Sequence, residues 1–363
     1  MANVLKPDVM WVQGRCYRVN DSSTEATDYQ EHDLYEDEVT FKNIEDEHFE
    51  DEDFKVEMID ENRYSTSLHV SKHYVGSIIG RKGAIKNRIE RDTKTEIKIP
   101  RQGQSGDVVI FGPSEANVKA ARRRINVIVI SSRMKQQFTH FISVPMHNST
   151  IMENYQRFKE SVLRECADSR DLDESLFVKP IKMHVTVGVM CLMDNEERTI
   201  ASKLFTEAMD TIIAPALKDH MPYKISLKGL SYMNDDPSEI DVLYGEVHEV
   251  NAPKGTLQNI SDALVDHFYK AGFMDRENDH VKLHVTLINS KFRQRSSTSL
   301  GDSNSKSRNS GKRLTFDGSK ILEKFADYDF GVMDVEEFHL SQRYGKRSDG
   351  YYQPSCVVTC KKS

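Results

Sequence analysis

A five-residue pattern occurs twice in this chain and limits the folds that the second half can adopt. It reads Lys-Met-His-Val-Thr at residues 182–186 and Lys-Leu-His-Val-Thr at residues 282–286. Polar and apolar residues alternate in both copies, which is typical of a half-buried β-strand. A segment with helical spacing precedes each copy. We therefore predict two similar lobes, each of which contributes one such strand.

The chemistry of this pattern follows from strand geometry, because side chains two residues apart share a face. Two such strands side by side would surround a small anion with two imidazoles and two hydroxyls. One imidazole can accept a proton from an attacking oxygen while the other protonates the leaving oxygen. The threonine hydroxyls can donate to the non-bridging oxygens, where negative charge grows. The candidate catalytic residues are His184, Thr186, His284 and Thr286.

The two motifs, His184–Val187 and His284–Leu287, resemble those of the two-histidine phosphoesterase superfamily, which carries paired H-x-[ST]-x motifs in a bilobal fold. The resemblance implies metal-independent phosphodiester chemistry without a cofactor. Neither histidine has a carboxylate or cysteine placed with it as a metal ligand. An RNA end could also be held without cleavage, and the residues leave open which histidine is the acid. Further candidate contacts to phosphate or base are Lys182, Lys282 and Tyr232.

A second motif lies nearer the N-terminus and resembles the KH pattern I-G-x-x-G-x-x-I, with Lys86 at the place of the last isoleucine. KH modules clamp about four nucleotides of a single strand on this loop. Glycine lets the backbone approach phosphates, and the following helix points its amide groups at them. Bases are expected over an apolar groove built partly from Ile79 and the strand at Ile97. The candidate RNA-binding residues are Ile79, Gly80, Arg81, Lys82 and Gly83.

Charge is distributed unevenly along the chain. Residues 21–62 hold 18 acidic and 2 basic residues, whereas the whole chain has a net charge of −7, which leaves a net +9 for the remainder. Residues 72–124 hold 13 basic and 5 acidic residues. Such a basic surface attracts phosphate backbones. The acidic stretch cannot bury enough apolar area to offset its chain entropy, and its composition predicts disorder.

These patterns predict an α+β protein in three parts. Residues 1–62 form an N-terminal partner segment and an acidic disordered arm, and residues 63–130 form a type I KH domain with the element order βααββα. Residues 137–363 form the bilobal two-histidine phosphoesterase domain, with two pseudo-symmetric lobes. An exposed loop rich in Ser, Gly, Lys and Arg is predicted at residues 293–313.

Several classes of protein are disfavoured by the sequence. It has no run of about 18 apolar residues, so neither a membrane span nor a membrane partner is expected. The N-terminal residues lack the basic and apolar regions of a secretory signal. The five cysteines form no CxxC pair, which argues against a disulfide framework and a structural zinc site. We expect a reducing compartment, the cytosol or the nucleus.

A KH module precedes a two-histidine domain in this chain. Together with the segments Gly14–Arg18, Tyr232–Pro237 and His339–Arg343, this order makes the sequence similar to the subunit family of the activating signal cointegrator complex. The resemblance implies a nuclear protein that contacts the helicase subunit of that complex. It also implies roles in transcription coactivation and in the response to alkylation damage. The expected ligand is single-stranded RNA, with single-stranded DNA open for the KH module. An RNA phosphodiesterase is favoured over a catalytically silent RNA-end sensor or adaptor.

Overall fold

The computed structural model of the chain describes residues 9–12, 15–18, 55–101, 106–276, 279–293 and 314–360. The chain forms two compact units, Met1–Asn43 and Ile44–Ser363. In the first unit, β1 (Val9–Val12) and β2 (Arg15–Arg18) pair as an antiparallel hairpin. Most of the predicted acidic arm, residues 19–54, and nearly all of the predicted exposed loop, residues 294–313, lie outside the described residues.

The second unit begins with a small antiparallel sheet and three helices. Their bounds are β3 (Glu57–Asp60), β4 (Arg63–Leu68), α1 (Lys72–Ile79), α2 (Ala84–Thr93), β5 (Glu96–Lys98), β6 (Val108–Gly112) and α3 (Glu115–Met134). The four strands lie in the order β3-β4-β6-β5. From β4 to α3 the elements follow the predicted order βααββα.

Two elements differ from the sequence-based expectation. Strand β3 lies inside the segment whose composition predicts disorder, and it pairs with β4 through Met58 and Tyr64. These backbone hydrogen bonds offset chain entropy that the exposed side chains of β3 cannot offset by burial. Helix α3 continues past residue 130, because its C-terminal part also packs against the following domain. Ser114 caps its first turn by accepting a hydrogen bond from the amide of Asn117.

The core of this first domain is a single apolar cluster between the sheet and the helices. Ile78, Ile89 and Ile125 bring the three helices into it. Ile97 is 2% exposed and also belongs to this core. The Ile97 side chain thus faces the core, and the base-binding groove expected beside Ile79 and the strand at Ile97 stays a prediction.

The rest of the unit is built on a second, larger sheet with helices packed against it. Its elements are β7 (His140–Pro145), α4 (Ser149–Glu165), β8 (His184–Met190), α5 (Asn195–Ala208), α6 (Ala214–Leu217), β9 (Lys224–Tyr232), β10 (Val242–Glu249), α7 (Thr256–Lys270), β11 (Val285–Asn289), α8 (Ser319–Phe325), β12 (Asp329–Asp334), β13 (Glu337–Lys346) and β14 (Tyr352–Thr359). Helix α4 packs against β12, α5 against β14 and α7 against β8.

The eight strands run in the order β12-β9-β10-β11-β8-β7-β13-β14. Four strands therefore lie on each side of the β8–β11 boundary, which confirms the prediction of two similar lobes. The strands that carry the repeated motif are the two central ones. Val185 and Val285 are fully buried on the core side, which leaves the alternate side chains of both strands on the opposite face.

A buried ion pair connects the two domains. Arg133, in the last turn of α3, donates a hydrogen bond of 2.6 Å to Glu197 on α5 and another to the carbonyl oxygen of Gly272. The side chains of Arg133 and Glu197 are only 8% and 4% exposed. The second carboxylate oxygen of Glu197 accepts from the amide of Met193 at 2.7 Å. In the described part of the chain, no helix has the length and apolar character that a membrane crossing requires.

Candidate two-histidine site

The repeated motifs meet at the centre of the large sheet. β8 and β11 are antiparallel and pair at Val185 and Val285. This register sets His184 across from Thr286 and Thr186 across from His284. Both histidines and both threonines are half-buried on the same face. The structure thus brings together the four residues that the sequence identified as candidate catalytic residues.

His184 is held by its backbone and by two aromatic rings. Its Nδ1 atom lies 2.7 Å from the carbonyl oxygen of Lys182. The ring centroids of Phe141 and Tyr352 lie 5.0 and 5.6 Å from that of His184. These contacts fix the orientation of the imidazole without any carboxylate.

His284 repeats this arrangement in the second lobe. Its Nδ1 atom lies 2.6 Å from the carbonyl oxygen of Lys282, and the ring of Tyr244 lies edge-on at 5.2 Å. Asp262 on α7 fixes the segment just before this motif, because its carboxylate accepts a hydrogen bond from the amide of Val281 at 2.8 Å. The tautomer of both histidines follows from these contacts, because a carbonyl oxygen accepts and Nδ1 must carry the proton. Nε2 is then the atom that exchanges protons with a ligand.

The environment keeps both imidazoles neutral near pH 7. Burial, with smaller effects of His284 and His147, lowers the pKa of His184 to about 4, against the opposing effect of the hydrogen bond to Lys182. Burial also lowers the pKa of His284, and the charge of Lys282 acts in the same direction. An anion between the two rings would favour their protonated forms, because it supplies the opposite charge that the free site lacks.

The two lysines of the repeat lie beside the strands instead of on them. Lys182 ends a 3₁₀ turn, Pro180–Lys182, and Lys282 precedes β11. Each ammonium group lies over a tyrosine ring, at 4.5 Å for Lys182 and Tyr352 and at 5.2 Å for Lys282 and Tyr244. The alternation of the repeat predicts both lysines on the face that carries the histidines and threonines, but β8 and β11 begin only at His184 and Val285, so neither lysine lies on a strand.

Tyr244 and Tyr352 are site residues that the sequence did not reveal. Tyr244 pairs with Thr286 across β10 and β11, and Tyr352 comes from the last strand of the chain. Neither lies near a motif in the sequence, and no local pattern marks them. Tyr232 lies on β9 and packs against the hydrophobic core. Its predicted contact to phosphate or base stays a prediction.

The site offers two kinds of hydrogen-bonding group to a ligand, the hydroxyl groups of the threonines and the Nε2 atoms of the histidines. No hydrogen-bond partner from the described part of the chain reaches the hydroxyls of Thr186 and Thr286, which leaves them available to a ligand. Within the described ranges, no three residues of the types His, Cys, Asp and Glu come close enough to hold a metal ion. Metal-independent chemistry stays a prediction.

The loop of the KH motif has the backbone that its glycines require. Gly80 has φ 69°, and a Cβ atom there would lie 2.6 Å from Cγ1 of Ile85. Gly83 has φ 81° and directly precedes α2. The side chains of Arg81 and Lys82 are exposed, and Ile79 is 37% exposed. All five predicted residues therefore lie together at the N-terminal end of α2, where amide groups face outward.

Comparison with known proteins agrees with this architecture. Residues 138–359 match the model of the AKAP7 2′5′ RNA ligase-like domain, and residues 65–127 match that of the KH domain. Activating signal cointegrator 1 complex subunit 1 of Mus musculus is 31% identical over 367 residues, which cover 96% of this chain and 97% of the relative.

Two partial similarities are more limited. Human vigilin is 32% identical over 108 residues, which cover 29% of this chain and 8% of vigilin. A crystal structure of a phosphoesterase covers 62% of this chain and 100% of its own, with 12% identity and a TM-score of 0.33, too low to bear on the fold. The first relative and the match over residues 138–359 span most of the sequence. The chain therefore belongs to the activating signal cointegrator 1 complex subunit 1 family and combines an RNA-binding-type KH domain with a phosphoesterase-like domain of the AKAP7 2′5′ RNA ligase-like class.

Proposed function

We propose that the large domain is a metal-independent RNA phosphodiesterase of the two-histidine type. The observation that carries this proposal is the placement of His184 at the start of β8 and of His284 directly before the adjacent strand β11, each with Nδ1 bound to a carbonyl oxygen and Nε2 left for a ligand. Thr186 and Thr286 share that face. A phosphodiester placed there would meet two proton-transfer groups and two hydroxyl donors.

The reaction needs two proton transfers, one from the attacking oxygen to a histidine and one from the other histidine to the leaving oxygen. The neutral histidine accepts a proton from the attacking oxygen, either water or a ribose 2′-hydroxyl, as that oxygen forms a bond to phosphorus. The bond from phosphorus to the leaving oxygen breaks, and the protonated histidine gives that oxygen its proton. The threonine hydroxyls donate to the non-bridging oxygens as charge develops there. At the end the two histidines have exchanged protonation states.

The direct test is cleavage of labelled short single-stranded RNAs with different 3′ ends in the presence of EDTA. We expect product from the wild type and none from the His184→Ala/His284→Ala variant. The 3′ end that is cleaved identifies the substrate class. Cleavage that EDTA abolishes would contradict the metal-independent mechanism.

The depressed pKa values predict an acidic optimum for the free protein. Catalysis needs one neutral and one protonated histidine, and both pKa values lie below the ordinary value of 6.5. The singly protonated form is therefore most populated below pH 6.5, so kcat/KM should peak there and fall about tenfold per pH unit on the alkaline side. A Lys282→Met variant should move the alkaline limb to higher pH, because it removes a cation that lowers the pKa of His284. An optimum above pH 7.5 would argue against these assignments.

We further propose that the KH domain presents a single RNA strand to this site. Gln substitution of Arg81 and Lys82 should weaken RNA binding about tenfold at physiological salt. It should also reduce the slope of log affinity against log salt by about 1.4, which corresponds to two phosphate contacts on a single strand. Fluorescence anisotropy over a salt series measures both values. The matched control is Arg157→Gln/Arg164→Gln on α4, which removes the same charge from exposed positions.

A second candidate function is a catalytically silent RNA-end sensor or adaptor within a nuclear complex. It is favoured by the similarity to a mouse protein that is named as a complex subunit. We propose on this basis a nuclear location, contact with a helicase subunit through residues 1–62, and a part in transcription coactivation and the alkylation response. Tight RNA binding without product, and co-purification with a helicase that is lost on deletion of residues 1–62, would support it. Unchanged co-purification after that deletion would rule out this contact.

A further inference from the structure

The two sides of the central strand pair are not equivalent. β8 and β11 pair through a single residue pair and diverge in both directions. On one side the gap is filled, because the amide of Val178 donates to the carbonyl oxygen of Leu287 at 3.0 Å and Phe177 bridges to Ile288. The hydroxyl oxygen of Tyr155 closes this seam, because it lies 2.9 Å from the carbonyl oxygen of Val178 and 2.9 Å from that of Leu287, and its single proton is shared between them.

On the other side the gap is open and forms a groove of about 600 Å³. It runs beside the second half of β8 and past Lys282, two residues before His284. Gly188 lines it, and a Cβ atom at this position would lie 2.7 Å from the sulfur of the buried Met274, so the packing leaves no room for a side chain here. Val189 lines it and is 43% exposed. A volume of this size is within the range of about 300–1,000 Å³ that is typical of ligand sites.

The charge of the groove favours an anionic ligand. Five cationic side chains are found among its described lining residues, against the single carboxylate of Asp275; they are Arg133, Arg276, Lys282, Lys291 and Arg343. Two of these cations are already paired with carboxylates, Arg133 with Glu197 and Arg276 with Asp266. The structure shows no such partner for the other three in the described part of the chain.

Two aromatic rings lie against Arg343, one of the cations that line the groove. The guanidinium of Arg343 lies 4.1 Å from the ring centroid of Phe138 and 5.1 Å from that of Tyr344. The ring of Tyr344 is open to a ligand, because this side chain is 69% exposed. Exposed aromatic rings beside cationic groups are the surfaces on which single-stranded bases stack. Cations without a carboxylate partner among the described residues and an exposed ring therefore occur together along this groove, whose lining includes Lys282, two residues before His284.

We propose that this groove binds the nucleotides next to the reacting phosphodiester, so that the ligand of the site is a single-stranded RNA oligonucleotide and not a mononucleotide. The inference rests on the proposed function of the histidine pair. Phosphates lie along Lys282 and Arg343, and a base stacks on Tyr344. Because the gap on the other side is filled, the RNA can extend away from the histidines only along this groove.

The test measures binding separately from turnover, in a background that carries Arg81→Asp/Lys82→Asp to remove the KH contribution. Val189→Glu places a negative charge in the groove. Its matched control is Val332→Glu on β12, a valine of the same sheet with 45% exposure. A labelled five-nucleotide RNA should bind at least tenfold more weakly to Val189→Glu, while Val332→Glu changes affinity less than twofold. Tyr344→Ala should weaken binding at least fivefold.

The outcomes separate this inference from the proposed function. At saturating concentrations of the labelled five-nucleotide RNA, kcat for its cleavage should be equal in the wild type, Val189→Glu and Val332→Glu, because the groove contributes to affinity and not to proton transfer. If no variant shows turnover but Val189→Glu still loses RNA binding, the groove assignment stands and the phosphodiesterase proposal fails. Equal RNA affinity of the two glutamate variants, or no RNA binding in this background, would overturn the groove assignment.

Discussion

A His184→Gln variant is expected to lose about 10²–10⁴-fold in kcat while it keeps the fold and RNA affinity. Glutamine retains a polar group in the pocket between Phe141 and Tyr352 but cannot transfer a proton. His284→Gln should lose a similar factor, because its imidazole is held in the same way. Single-turnover cleavage of the RNA identified as substrate measures the effect.

The double variant should be little slower than either single variant, because the two histidines act as one unit and their losses do not add. The control is His248→Gln, a histidine on β10 whose side chain is half exposed. It should turn over at the wild-type rate. A His184→Gln variant with more than a tenth of wild-type activity would show that the pair does not transfer the protons.

An Arg133→Met variant is expected to lose about 3–5 kcal/mol of unfolding free energy, because it leaves the buried carboxylate of Glu197 without its countercharge. The side chain also packs between two rings, with its guanidinium carbon 4.6 Å from the centroid of Phe273 and 5.4 Å from that of Tyr74. Methionine retains most of that packing, so the loss reports mainly on charge. Urea unfolding followed by circular dichroism measures it.

A second substitution separates charge from packing. Arg133→Met/Glu197→Gln should recover a large part of the stability, because neither buried group is then ionised. Arg157→Met is the surface control, since its pair with Glu153 spans 4.0 Å between side chains that are 70% and 68% exposed. That change should cost at most about 1 kcal/mol. Equal losses for Arg133→Met and Arg157→Met would contradict the interface described above.

This ion pair also explains why helix α3 extends to Met134, past residue 130, the expected end of the KH domain. Composition changes near Gln137, where the helical pattern of α3 has ended, but nothing in that local pattern shows that Arg133 is buried. Its partners, Glu197 and Gly272, are 64 and 139 residues away in sequence. Only folding brings a charged residue at the end of one domain into the core of the interface with the next.

The sequence by itself determined the parts of this protein that depend on local spacing. The period-two pattern of 182–186 and 282–286 gave two strands with His and Thr on one face, and their repetition gave two lobes. The glycines of 80–83 gave a loop that needs positive φ. Each of these conclusions rests on residues within a few positions of one another, where strand periodicity and backbone sterics act.

The tertiary structure decided what depends on residues far apart in the chain. It placed Tyr244 and Tyr352 at the site, lowered the pKa of His184 by burial, and left one side of the β8–β11 boundary open while Phe177 filled the other. The two motifs are nearly identical in sequence, so the difference between their surroundings could not be predicted from either. Burial and long-range pairing are properties of the assembled sheet, and they give two motifs of nearly identical sequence different surroundings.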